Sequence, residues 1–251
     1  MNLLRLSLSG LLIGVMSCPS LADGNNQQQV GQAGGVGLSA TRVIYPLGSR
    51  SVTLRVDNPA DYPFLVKSTV QDESLREKGP FIVTPPLFRL DSGQHNTLTI
   101  TRTGGNYPNN RESMNWLCVQ SVPPEADSVW VDGNEADAGR DKVSARIRLL
   151  PSSCIKLLVR PEAIQGQPVD VADNVSWHIS GKTLTANNPT PFYMNISQLT
   201  FNGTKIQMGK RYIPPFSEER FPLSGNETKG TIKWTVIGDY GEEQEKTATV
   251  K

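Results

Sequence analysis

Short stretches in which apolar and polar residues alternate at every second position recur along this chain, and turn residues end each one within about five to seven residues. Ser51-Val-Thr-Leu-Arg-Val56 sets Val52, Leu54 and Val56 on one face and Thr53 and Arg55 on the other, and Asp57-Asn58-Pro59 stops it. Thr97–Thr101 alternates in the same way, and Phe64–Val70 and Trp116–Val119 are further strand candidates. Phe81–Val83 runs into Thr84-Pro85-Pro86, which has no place in a central strand because proline donates nothing to the ladder. After the break at Arg160–Pro168 the pattern resumes in Val175–Ile179, Lys182–Ala186, Phe192–Ile196, Ile206–Met208, Thr231–Ile237 and Thr247–Val250. Trp177 and Trp234 fall at core positions of the second group. Helical periodicity never persists beyond about two turns. The chain is therefore all-β, and 251 residues make room for two sandwiches of roughly 100 residues each, with a junction around residues 160–167.

The first residues read as an export leader. Arg5 supplies the positive charge, Leu6–Met16 a short apolar core, and Ser20-Leu21-Ala22 a small-x-small cleavage site. That core is too short to span a bilayer, and Val15-Met16-Ser17-Cys18 matches a lipoprotein box poorly. A mature chain beginning at Asp23 keeps two cysteines, Cys118 and Cys154. An exported chain with two cysteines pairs them, the alternative being two unrelated buried thiols. The loop closed by such a bond holds about 37 residues, and its constraint is worth on the order of 3–4 kcal/mol.

Several function classes are disfavoured. A formal net charge of +1 argues against a strongly basic nucleic-acid binder. Two histidines, His95 in a turn-like stretch and His178 on a core strand, leave little for a metal site or a Ser-His triad. No phosphate-cradling glycine motif is present, so nothing requires ATP; with so little triad material, neither a cofactor nor the alternative of a secreted hydrolase is expected.

Residues 23–35 are rich in Gly, Gln and Asn and read as a flexible arm or as a strand that orders with a partner. Glu125–Lys142 is polar, acidic and Gly-containing, a long hairpin connection whose base a disulfide would staple. Val143-Ser-Ala-Arg-Ile-Arg-Leu149 follows, with Val143, Ala145, Ile147 and Leu149 as an apolar comb opposite Ser144, Arg146 and Arg148. Alternation leaves two readings open: an ordinary sandwich strand, or a strand offered to another chain.

Six segments, taken in order, resemble the signature segments of periplasmic pilus chaperones and cover nearly the whole mature chain: Thr84–Leu90, Arg111-Glu-Ser113, Val122-Pro-Pro124, Cys154–Pro161, Asn188–Tyr193 and Gly238-Asp-Tyr-Gly241. The cysteine pair around a long loop is similar to the long-loop (FGL) branch of that family. The resemblance implies two immunoglobulin-like β-sandwich domains set at an angle around a cleft. The leader would occupy residues 1–22, a subunit-binding domain 23–162 and a C-terminal domain 163–251.

The resemblance also implies a mechanism. A fibre subunit is an incomplete sandwich with an exposed groove and unpaired edges. The chaperone lends a strand, about Lys142 to Pro151 here, with Val143, Ala145, Ile147 and Leu149 as the inserted comb. By position Arg42 and Lys156 would hold the subunit's C-terminal carboxylate, and Arg160, Glu112 and Asp239 would form an ion-pair network across the domain junction. Pro151 would end the comb or mark a bulge, and Gln29–Leu38 would extend the first strand as a second edge contact. The implied partners are a fimbrial subunit and an outer-membrane usher, in the periplasm and with no nucleic acid. The unloaded apolar comb offers a surface for self-association. The competing reading is a secreted two-domain fibre subunit or adhesin. That protein would carry an N-terminal donor extension with alternating apolar residues, which Asp23–Gly35 lacks.

Overall fold

The computed structural model describes residues 35–123 and 150–250. The first half contains β1 (Gly37–Leu38), β2 (Arg42–Pro46), β3 (Ser51–Asp57), β4 (Phe64–Asp72), β5 (Phe81–Thr84), β6 (Leu87–Leu90), β7 (His95–Arg102), β8 (Ser113–Val122) and β9 (Ser152–Arg160). A short helix α1 (Pro168–Val171) follows. Then come β10 (Ser176–Ser180), β11 (Thr183–Asn188), β12 (Met194–Phe201), β13 (Thr204–Lys205), β14 (Tyr212–Ile213), β15 (Ser217–Pro222), β16 (Gly230–Ile237) and β17 (Glu243–Val250).

In the first half, a sheet ordered β1-β3-β7-β5 faces one ordered β2-β9-β8-β4-β6. The alternation seen in Ser51–Val56 is what makes this possible: Leu54 and Val56 point inward while Thr53 and Arg55 stay exposed. Phe64, Leu98, Ile100, Leu117 and Leu157 fill the space between the sheets with no exposed surface. Tyr45 is equally buried, and its hydroxyl reaches the carbonyl oxygens of Ser49 and Arg50 at 3.0 Å each, so the phenol carries no unmet polar cost.

The first strand changes sheets. Gly37 and Leu38 pair with Asp57 and Val56, and three residues later Arg42–Pro46 runs parallel to Lys156–Arg160 in the opposite sheet. The remaining strand pairs among the described residues are antiparallel. Of the expected first-strand extension Gln29–Leu38, Gly37 and Leu38 thus form an edge on β3, and residues 29–34 lie outside the described part.

The second half repeats the two-layer plan, with β10-β11-β15 against β13-β12-β16-β17 and with β14 also paired to β12. Trp234 is 2% exposed and Trp177 9%, their rings 5.7 Å apart edge to face over Phe221, so both tryptophans are core residues. His178, expected on a core strand, lies on β10 but faces solvent, because its neighbour Trp177 takes the inward position. Ile206–Met208 is not a strand. Asn202 and Gly203 adopt positive φ (49° and 79°) in a tight hairpin, β13 ends at Lys205, and only the Ile206 N–H returns to β12 through the Leu199 carbonyl at 2.9 Å.

One turn device serves both halves. Asn58 and Asn188, each buried and followed by proline, donate their side-chain amides to carbonyls on the far side of the turn: Tyr62 and Leu90 for Asn58, Phe192 and Pro214 for Asn188. Each amide oxygen accepts a backbone N–H two residues on, from Ala60 and Thr190. These turns lead into β4 and β12.

Candidate functional site

Parallel pairing of β2 with β9 makes Arg42 and Lys156 direct register partners, and Trp116 on β8 is the register partner of Lys156 from the other side. Both cations open onto a cleft of about 660 Å³ whose opposite wall carries Arg211 and Tyr212 from the second half. Lys156 Nζ donates to Asn195 Oδ1 across that cleft at 2.7 Å and sits 5.0 Å from the centre of the Tyr212 ring. Burial, together with the nearby charges of Arg42 and Arg211, pushes its ammonium down to about 8. Arg42 is 7% exposed; NH1 donates to the Ile237 carbonyl at 3.2 Å, while Nε is buried without a partner. Burial pulls its guanidinium below the usual value, and Asp239, Glu242 and Glu112 pull the other way. A guanidinium starts so far above neutrality that it stays charged. Among the described residues neither cation has a carboxylate within ion-pair distance. A cleft built this way can take an anion.

Below it, three groups named from the sequence meet. Arg160 at the end of β9 forms a bidentate pair with Asp239, NH1 to Oδ2 at 2.6 Å and NH2 to Oδ1 at 2.7 Å. Its Nε donates to Glu112 Oε1 at 2.8 Å. Glu112 has a fully buried side chain, and its second oxygen accepts the Tyr193 N–H at 2.8 Å. Burial pushes the Glu112 carboxyl up, opposed by the Arg160 charge. Asp239 comes from the Gly238–Gly241 turn after β16 and Glu112 from the segment before β8, so the guanidinium bolts the two halves together, its central carbon over the Phe192 ring at 5.0 Å from the ring centre.

Cys118 and Cys154 are register partners on β8 and β9 and are joined by a disulfide, S–S 2.05 Å. Residues 123–151 link these strands. Val143, Ala145, Ile147 and Leu149 lie outside the described residues, as does Glu125–Lys142. Pro151 directly precedes β9 and gives its carbonyl to the Ser121 N–H at 3.1 Å.

Comparison with known proteins decides what this arrangement belongs to. The model of the pili and flagellar-assembly chaperone PapD N-terminal domain matches residues 35–165, and that of the pili assembly chaperone PapD C-terminal domain matches residues 170–248. The chain belongs to the pili assembly chaperone family. Chaperone protein caf1M of Yersinia pestis is 40% identical to it over 96% of this chain and 95% of that protein. The crystal structure of the Escherichia coli chaperone DraB superimposes with a TM-score of 0.74 at 44% identity, covering 87% of this chain and 97% of that one. The Salmonella enterica SafB chaperone, solved in complex with the SafA pilin, gives a TM-score of 0.74 at 41% identity over 86% and 96%.

The chaperone's cleft also depends on residues that sequence reasoning missed. Glu73, in the turn after β4, accepts the hydroxyls of Tyr193 (3.1 Å) and Tyr212 (3.3 Å) from the second half, and its carbonyl accepts the Trp116 indole N–H at 3.0 Å. Burial and the Glu73 charge push the Tyr212 phenol up to about 12 and the Tyr193 phenol upward as well, so both stay protonated donors. Met114, Leu158, Tyr193 and Tyr212 form a small apolar cluster of their own between the two main cores. Asn195 Nδ2 donates to the Tyr193 carbonyl at 3.3 Å. A hydrogen-bonded series therefore runs from Arg160 through Glu112, Tyr193 and Asn195 to Lys156. Tyr193 lay inside a motif quoted from the sequence, but nothing there assigned a polar role to it; Asn195 and Glu73 carried no signal at all.

Proposed function

We propose that this chaperone captures fimbrial or fibre subunits in the periplasm, holds each by its C-terminal carboxylate on Arg42 and Lys156, completes its unfinished sandwich with the 142–151 segment, and hands it to an outer-membrane usher. The observation that carries this reading is the adjacency of the two cations on the floor of a cleft, both without a carboxylate partner among the described residues. Charge-assisted hydrogen bonds to a carboxylate in such a partly desolvated place fix position as well as strength. Anchoring the chain end sets the register of an added strand, and register decides which side chains enter the groove. Val143, Ala145, Ile147 and Leu149 supply those side chains, the three larger ones worth roughly 1–3 kcal/mol each on burial.

Arg160, Glu112 and Asp239 hold the cleft in shape and bind no ligand. The long connection between β8 and β9 and the disulfide at its base support assignment to the long-loop branch. The leader and the disulfide support a periplasmic location, since that compartment is oxidising. The protein works without catalysis or cofactor, folding of the subunit on the donated strand being the energy source. The chaperone without cargo self-associates through the same comb.

The test is recovery of a co-expressed subunit from the periplasm with tagged full-length protein. Lys156→Ala abolishes recovery while the chaperone stays folded, and Ile147→Asp weakens it by placing a charge in an apolar groove. Normal recovery with Lys156→Ala removes the anchor role; unchanged affinity with Ile147→Asp means the comb is elsewhere.

A further inference from the structure

The cleft holds more positive charge than one carboxylate can satisfy. Arg42 and Lys156 line its floor, and Lys210 and Arg211 line its rim, with Glu73 the acidic side chain among the lining residues. Glu73 is already engaged by two tyrosine hydroxyls. Among the described residues none of the four cations is in a salt bridge, and Arg42 Nε is buried and unpartnered.

The rim is held in place. The Arg211 carbonyl accepts the Ile196 N–H at 2.9 Å, and the next residue, Tyr212, is the register partner of Asn195, which receives Lys156. Backbone pairing thus seats Gly209–Arg211 beside the Lys156 ammonium, close enough for the Arg211 charge to act on it. The side chains of Lys210 and Arg211 are exposed, so they are free to meet a ligand entering from solvent. A single carboxylate bound on the floor leaves the two rim cations without a counter-charge; a second carboxylate at the rim pairs with them.

We propose that the cleft seats two carboxylates of one captured chain: the terminal carboxylate at Arg42 and Lys156, and an acidic side chain close to the same end at Lys210 and Arg211. This rests on the reading of the cleft as the seat of the subunit's C-terminus and adds a selection rule to it, since a subunit with an acid at the matching place is held better than one without.

The test uses full-length tagged chaperone and the subunit that co-purifies with it from the periplasm, identified by mass spectrometry. With Lys210→Ser/Arg211→Ser the complex still forms, but its dissociation constant at low salt rises about three- to tenfold, and the difference shrinks as NaCl screens the rim. Arg211→Glu weakens capture further, and changing the matching acid of the subunit to lysine restores it. Wild-type affinity and salt dependence in the double variant, with Lys156→Ala still inactive, overturn the second seat and leave the anchor standing. Failure of charge reversal to be rescued by any acidic position near the subunit's end also overturns it. Normal capture by Lys156→Ala sinks the anchor itself.

Discussion

Lys156 Nζ reaches out of the first sandwich to Asn195 Oδ1 of the second, 2.7 Å away, so the cation proposed to anchor the cargo rests on a neutral acceptor. An amide oxygen satisfies the ammonium's geometry without cancelling its charge. Asn195→Asp replaces that acceptor with a resident carboxylate that competes with the incoming one. Subunit capture should fall at least about tenfold, the scale of one charge-assisted hydrogen bond, with circular dichroism unchanged. Undiminished affinity in a titration with purified subunit would show that Asn195 does not face the bound carboxylate.

The proposed anchor role of Lys156 predicts that capture depends on pH. In the free chaperone its ammonium is held at about 8, against an ordinary value of 10.5, chiefly by burial. Above pH 8 the anchor loses its proton and must regain it to hold an anion, so the dissociation constant should be flat from pH 6 to about 7.5 and then climb toward tenfold per pH unit. Lys156→Arg should flatten the profile. Stability of the free protein moves the opposite way. Its folded value is depressed, so the unfolded chain binds the extra proton between pH 8 and 10.5, and the Lys156 contribution to unfolding free energy rises across that window. Urea titrations at pH 7.5 and 9.5, compared with Lys156→Met, check the sign.

Arg160 stands between two carboxylates, Glu112 with a fully buried side chain and Asp239 with one 9% exposed. Arg160→Met leaves both without their cation. The expected loss is about 3–5 kcal/mol in chemical unfolding, with recovery of part of it in Arg160→Met/Asp239→Asn. A loss below about 1 kcal/mol would mean that solvent reaches the junction.

Removing the Cys118–Cys154 bond should cost about 3–4 kcal/mol. Cys118→Ser/Cys154→Ser unfolds at correspondingly lower urea than wild type, and peptide mapping without reductant recovers one linked pair from the native protein. An unchanged midpoint would show that strand pairing alone holds β8 to β9.

Much of the fold could be read from alternation because each strand in question buries one face: Val52, Leu54 and Val56 announce β3 by themselves. Ile206–Met208 misled for the same reason, since a buried residue beside a hairpin exit looks like a strand when only every second position is inspected. Arg42, Lys156, Arg160, Glu112 and Asp239 sit in recognisable local sequence, and the structure brings them to one junction. Asn195, Glu73 and Tyr212 gave no warning. Their roles arise from contacts between segments more than 100 residues apart in the case of Glu73 with Tyr193 and Tyr212, and no local pattern records which turn will face which strand. Lys210 and Arg211 carried no signal in the sequence, and their place beside Lys156 follows from the pairing of β14 with β12.

The series Arg160–Glu112–Tyr193–Asn195–Lys156 connects the ammonium proposed to grip cargo with the ion pairs that join the sandwiches. Coupling along it is reciprocal: a ligand that alters the ion-paired joint and changes cargo affinity by some factor has its own affinity changed by cargo by that same factor.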